Sequence, residues 1–303
     1  MAMTTAVNYL AQIRSLSMLG QSNWVPSLLE FKFVRVLSLV KYVNKAVDLS
    51  VINQLSQLRY LKVKKERRFQ VLATSMMLKI WGLRLLETLD LSGIFRCSIS
   101  LEIVDAPRLS HLVMPMSTRL PDWVGKVKSL RTLRGFILPM DSLEGIIGLG
   151  ELTALSDLKF YFPNRCTGLS KAAWMTALST SLDKLGNLKQ LRVDSFEHVA
   201  LQADALSSLS PPFRNLELLD LQYGCTFSRV PRWMGHLHNL RELFIGGEAG
   251  TPGRCCLHWD MDAVSQPADP RRPDGKDRDR RLHGIPSSQM VSVRLRWRVV
   301  PDI

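Results

Sequence analysis

Leu86-Glu87-Thr88-Leu89-Asp90-Leu91 is the stretch that organises this chain. Leu89 and Leu91 stand two residues apart, the spacing that puts side chains on one face of a strand, and Thr88 and Asp90 then point to the opposite face. The phrase Leu-x-x-Leu-x-Leu, or a conservative version of it, occurs nine times. Its middle leucine falls at Leu37, Leu61, Leu89, Leu112, Leu133, Leu158, Leu191, Leu219 and Leu243, at intervals of 21 to 33 residues. Chance apolar patterning would not hold that phase over most of a 303-residue chain.

A phrase of this form at a period of roughly 20–29 residues is the signature of leucine-rich repeats. The expected fold is therefore an α/β leucine-rich repeat solenoid, a curved horseshoe. Its parallel β-sheet lies on the concave face, with short helices and loops on the convex face. Residues 1–30, with an amphipathic stretch from Ala6 to Leu19, are expected to cap the open end, and residues 31–246 to form a domain of about nine repeats. The longest interval, before Leu191, contains Asn164-Arg165-Cys166-Thr167-Gly168 and predicts an inserted loop.

A second repeat runs through the first. Leu120-Pro121-Asp122-Trp123-Val124-Gly125 leads into Leu130 and Leu133, and Val230-Pro231-Arg232-Trp233-Met234-Gly235 leads likewise into Leu240 and Leu243. Proline opens a short helix or turn on the convex side, tryptophan fills space against the next coil, and glycine permits the return into the strand. After Gly246 the pattern stops. Residues 247–303 are basic and rich in proline and glycine. Such composition buries too little apolar surface to offset ordering entropy, so a disordered tail is expected. Within it, Val291-Ser292-Val293-Arg294-Leu295-Arg296 alternates with period two and has the pattern of a strand.

Composition narrows the function classes. An apolar fraction of 46% with 22% charged residues is that of a globular protein, and no apolar run reaches the roughly 18 residues of a membrane span. The N-terminal stretch lacks the pattern of a signal peptide, and no Asn-x-Ser/Thr site occurs, so a cytoplasmic location is expected. Five scattered cysteines fit reduced thiols better than disulfide-bonded caps. Cys255-Cys256, with His258 and His283 near, lacks the Cys-x-x-Cys spacing of a zinc site. The formal charge of +13 is spread along the chain, and its densest cluster, Lys62 to Arg68, reads as a solvated loop. No specific nucleic acid, cofactor or metal is expected. Phosphate-loop, dinucleotide, zinc-protease and nucleophile-elbow motifs are all missing, so no enzyme is expected.

Function is then expected on the strand positions that face away from the leucines. These give Tyr60, Lys62, Asp90, His111, Arg134, Phe136, Lys159, Tyr161, Arg192, Glu242 and Phe244 as the candidate protein-binding residues. They mix both signs of charge with aromatic side chains of the kind that anchor interfaces, and they change from coil to coil while the leucines do not.

Four stretches carry a family resemblance: Ser27 to Leu39, the Leu-Glu-Thr-Leu-Asp-Leu-Ser-Gly unit at Leu86–Gly93, the Leu120-Pro121-Asp122-Trp123-Val124-Gly125 unit, and Leu149 to Leu158. Together they resemble the leucine-rich repeat region of plant nucleotide-binding leucine-rich repeat (NB-ARC type) disease resistance proteins, in the coiled-coil group of grasses. The resemblance covers about residues 20–246. It implies a sensor for pathogen effectors, or for host proteins they modify, acting in the defense response. The chain departs from that family in having no phosphate loop and no Met-His-Asp segment, so ATP switching is not carried over. It reads as a shortened member lacking the nucleotide-binding module. Tyr42, Glu66, Ile94 and Gly224 stand where the family usually has an asparagine after the strand. The alternative is a stand-alone adaptor, such as a ubiquitin-ligase substrate-recognition subunit, for which the first 30 residues are too few to supply an F-box-like helical segment.

Overall fold

The computed structural model describes residues 10, 12–19, 27–40, 49–64, 76–80, 82–93, 99–103, 106–139, 142–162, 171–195, 201–202, 213–221, 225–226, 232–247 and 291–296. In chain order the strands are β1 (Ser15–Leu19), β2 (Val36–Val40), β3 (Tyr60–Lys64), β4 (Met76–Ile80), β5 (Thr88–Gly93), β6 (Ile99–Ile103), β7 (His111–Arg119) and β8 (Thr132–Ile137). They continue with β9 (Asp157–Phe162), β10 (Gln190–Ser195), β11 (Leu201–Gln202), β12 (Leu218–Asp220), β13 (Cys225–Thr226), β14 (Glu242–Gly247) and β15 (Val291–Arg296). Among the described residues, eleven strands form one sheet in the order β1-β2-β3-β5-β7-β8-β9-β10-β12-β14-β15. The neighbours from β1 to β14 are parallel, and β15 alone runs antiparallel, along β14. Two short parallel pairs, β4 with β6 and β11 with β13, lie outside it.

Strand order follows chain order because each coil returns to start the next strand beside the last. One backbone device repeats at every return. The carbonyl just before a strand accepts two N–H groups from the next coil, beginning with Arg14 O, which takes Arg35 N at 2.7 Å and Val36 N at 3.1 Å. Arg35, Arg59, Glu87, Ser110, Arg131, Ser156, Lys189 and Glu217 carry the same bond onward. The leucine phrase supplies the core behind this ladder. Its middle row from Leu37 to Leu158 is 0% exposed at every coil. Burying each such side chain stabilises by about 1.5–3 kcal/mol relative to leaving it in water.

The opposite face carries short turns and helices. Two 3-10 turns, Leu28–Glu30 and Asp122–Lys126, follow Ser27 and Pro121, both with extended backbone. Helix α1 (Glu144–Leu149) and the longer α2 (Lys171–Asp183) complete the central coils. On α2, Trp174, Leu178 and Leu182 recur every four residues and are buried, and the Trp174 indole donates to Pro139 O at 2.6 Å. This is the α/β leucine-rich repeat solenoid that the spacing predicts.

Several local expectations are revised. The segment expected as a cap contains β1, whose Leu16 pairs with Leu37, so the stack begins one coil before Val34. Ile13, Leu16 and Met18 are a degenerate copy of the phrase, packed on the core. Gly125 lies inside a 3-10 turn, and its requirement is close approach: a Cβ there would stand 2.7 Å from Gly148 Cα of the next coil. Asparagines do bridge coils, but before the strand. Asn187, Asn215 and Asn239 donate through Nδ2 to Thr153 O, Gly186 O and Arg214 O at 2.9, 3.1 and 2.7 Å. In the tail, Val291–Arg296 forms β15, with Phe244 opposite Arg294 and Glu242 opposite Arg296. The rest of the tail beyond Gly247, the loop around Cys166 and the Cys255-Cys256 pair lie outside the described residues.

Candidate functional site

Alternation along each strand divides leucines from surface residues, and the register aligns the surface residues in rows across the sheet. One row reads Lys62, Asp90, Val113, Arg134, Lys159, Arg192, Asp220 and Phe244 along β3, β5, β7, β8, β9, β10, β12 and β14. A parallel row reads Tyr60, Thr88, His111, Thr132, Asp157, Gln190, Leu218 and Glu242. Tyr60, Lys62, Asp90, Arg134, Lys159, Arg192, Glu242 and Phe244 are partly buried at the sheet face, and His111 is exposed. Nine of the eleven expected residues thus share one surface.

Phe136 does not. It is 0% exposed and belongs to the core. Gly135, at φ +85°, inserts an extra residue after Arg134, so the register passes from Arg134↔Lys159 to Phe136↔Phe160. A bulge of this kind reverses the alternation beyond it. Tyr161 is the second correction. It is on the expected side of β9 but only 5% exposed, with Ile137 and Asp194 beside it in register. The Lys159 ammonium sits 5.2 Å from its ring centroid. Tyr161 supports Lys159 from beneath and is not an exposed anchor.

The charged residues of the face are organised in pairs that the residue list did not anticipate. Lys62 Nζ meets Asp90 Oδ2 at 2.8 Å, and Lys159 Nζ meets Asp194 Oδ2 at 3.6 Å. Arg134 donates through Nε to Asp157 Oδ1 at 2.8 Å and through Nη2 to the other carboxylate oxygen. His111 Nδ1 lies 2.9 Å from Thr132 Oγ1. These pairs hold long side chains in fixed positions, which lowers the ordering cost of presenting them to a partner. Outside this face, the strand entries carry further pairs, Arg59–Glu87 at 2.9 Å and Lys189–Glu217 at 3.6 Å.

Burial alone would push the Asp90 carboxyl up. Hydrogen bonds from Lys62 and from the Ser92 side chain and backbone N–H outweigh it and hold Asp90 below the ordinary carboxylate value. Lys62 is held above its ordinary value, chiefly by its hydrogen bond to Asp90. A lowered folded-state value means that the Asp90 contribution is fully present above the ordinary carboxylate range. It is lost as pH falls through that range toward the lower folded value. Asp90→Asn is therefore expected to cost up to about 1 kcal/mol at pH 7, and nearly nothing at pH 2–3. Urea unfolding at both pH values checks this, and an equal loss at both would contradict the pairing.

Among the described residues, no group of three or more His, Cys, Asp and Glu side chains is placed to hold a metal ion. Among the same residues, no helix is long and apolar enough to cross a membrane.

A constant leucine frame that displays a varied, pre-paired polar face defines a repeat scaffold of the solenoid class. The chain belongs to the leucine-rich repeat region family, whose pattern it matches over residues 12–248. It is similar to the disease resistance protein RGA5 of Oryza sativa subsp. japonica, with 35% identity over 240 residues, which cover 76% of this chain and 21% of that protein. It is also similar to the disease resistance protein Pik-2 of the same plant, with 24% identity over 78% of this chain and 26% of the relative. The chain thus spans about a fifth to a quarter of the length of these relatives. Among solved structures, an internalin of Listeria monocytogenes aligns over 79% of this chain and 75% of its own, at 15% identity and a TM-score of 0.46. The plant peptide hormone receptor RGFR1, in complex with RGF2, aligns over 75% of this chain and 42% of its own, at 16% identity and a TM-score of 0.38.

Proposed function

We propose that this chain is a non-catalytic recognition module that binds another protein through the outward face of its parallel sheet. In this reading it acts in the cytoplasm as a sensor portion of a plant immune receptor, recognising a pathogen effector or a host protein. The observation that carries it is the contrast between the two sides of each strand. The inward row is leucine at every coil from Leu37 to Leu243, whereas the two outward rows on either side of it run through tyrosine, lysine, aspartate, histidine, arginine and phenylalanine. The similarity to RGA5 and Pik-2 supports the immune context.

Affinity capture from plant leaf extract with the full chain tests the reading. Tyr60→Ala combined with His111→Ala removes two side chains from the face, and Lys128→Ala breaks a pair with Glu151 outside the strands, 3.0 Å long. The double variant is expected to lose at least about tenfold in captured partner, the equivalent of about 1.4 kcal/mol, while Lys128→Ala retains it. Equal capture by all three forms would refute the assignment of binding to this face.

A further inference from the structure

We propose that Arg192 is the anchor of the sheet face and receives a carboxylate side chain from an acidic segment of the protein partner. The proposal rests on the reading of this face as a protein interface and names the chemistry at its centre.

Along β10, Leu191 and Val193 are buried while Arg192 and Asp194 face outward. The register places Arg192 directly beside Lys159 of β9 and Asp220 of β12. Arg134, Lys159 and Arg192 form three consecutive cations on neighbouring strands, spaced by about 4.8 Å. Two of them are engaged: Arg134 by Asp157 and Lys159 by Asp194. Arg192 differs. Its Nε is buried yet has no hydrogen-bond partner among the described residues. Buried donors are nearly always satisfied, and a lone one calls for an explanation.

A guanidinium presents Nε–H and one Nη–H as a planar fork whose spacing matches the two oxygens of a carboxylate. Such a ligand would satisfy the Nε–H of Arg192 and be drawn further by the neighbouring Lys159 ammonium. Asp194 and Asp220 flank the same position. Those two acids tolerate a single incoming negative charge better than a double one, so the site favours a carboxylate over a phosphate. Rim pairs such as Arg59–Glu87 are 44% exposed on both sides and offer no comparable unmet donor.

The test uses the full chain with 15N-labelled arginine. The Nε–H resonance of Arg192 is assigned by its loss in Arg192→Lys, which keeps the charge and removes the fork. Deca-glutamate is the probe, with deca-glutamine and a deca-glutamine carrying one phosphoserine as comparisons. Deca-glutamate is expected to shift this resonance and to slow its solvent exchange, with roughly tenfold weaker binding to Arg192→Lys and unchanged binding to Lys128→Ala, which lies outside the strands. The proposal is overturned if the resonance does not move, if deca-glutamine moves it equally, if the phosphorylated probe binds more tightly, or if Arg192→Lys binds as well as the parent. Loss of these effects with retained sensitivity of capture to Tyr60 and His111 would sink the Arg192 proposal alone. Loss of both would sink the interface reading with it.

Discussion

Gly135→Ala is expected to lower the unfolding free energy by about 3 kcal/mol or more, a large effect for the addition of one methyl group. Two separate costs add at this position. Gly135 has φ +85°, where an L-residue with a side chain is strained by about 1–2 kcal/mol. An added Cβ would also stand only 2.3 Å from the Met114 carbonyl oxygen of the neighbouring strand. Main-chain atoms of β7 cannot swing aside as a flexible side chain does, so the strands must part or the bulge must slip. A slip would turn Phe136 toward solvent and move Arg134 away from Asp157, coupling the fold to the binding face. Gly186→Ala is the control, because no φ in the left-handed region and no atom within 4 Å oppose a Cβ there. It is expected to stay within about 0.5 kcal/mol of the parent. Urea unfolding followed by circular dichroism measures both, and equal midpoints for the two variants would refute the bulge argument.

The same residue marks where sequence reading stops short. Leucine spacing reports strand placement and register because every coil must bury the same row, and it located the sheet from β2 to β14. Alternation then identified the outward residues of the other strands, and those of β8 as far as Arg134. It failed at Phe136 because strict alternation assumes one residue per pleat, and Gly135 adds another. The available signal was the glycine itself, since glycine inside a strand often marks a bulge. β1 was missed for a different reason: Ile13 and Met18 replace leucines, so a search keyed to leucine passes over them. The ion pairs are a third case. Lys62 with Asp90 and Lys159 with Asp194 join residues of adjacent coils, so they emerge only when residues are compared across the register and not along each strand. The unmet Nε of Arg192 has no sequence signal, because burial of one atom depends on its neighbours in space.

Phe160→Ala is expected to cost about 3–5 kcal/mol, the range for deleting a fully buried aromatic side chain. Phe160 is 0% exposed and lies in the middle of an aromatic run that joins three elements. Its ring centroid is 6.1 Å from that of Phe136 on β8 and 5.6 Å from that of Phe162, edge-on at 85°. Phe162 continues the run to Trp174 of α2 at 5.8 Å. Losing the central ring therefore removes contacts on both sides and leaves a cavity that the surrounding coils cannot close without breaking the strand ladder. The position matters as much as the size. In a solenoid each coil contacts only its neighbours, so a weakened central coil uncouples the halves of the array. Limited proteolysis should accordingly split Phe160→Ala within the central coils, while Phe160→Leu, which keeps most of the volume, loses about 1–1.5 kcal/mol and remains intact. If Phe160→Ala unfolded at the urea midpoint of the parent, the aromatic run would not be the layer that holds the halves together.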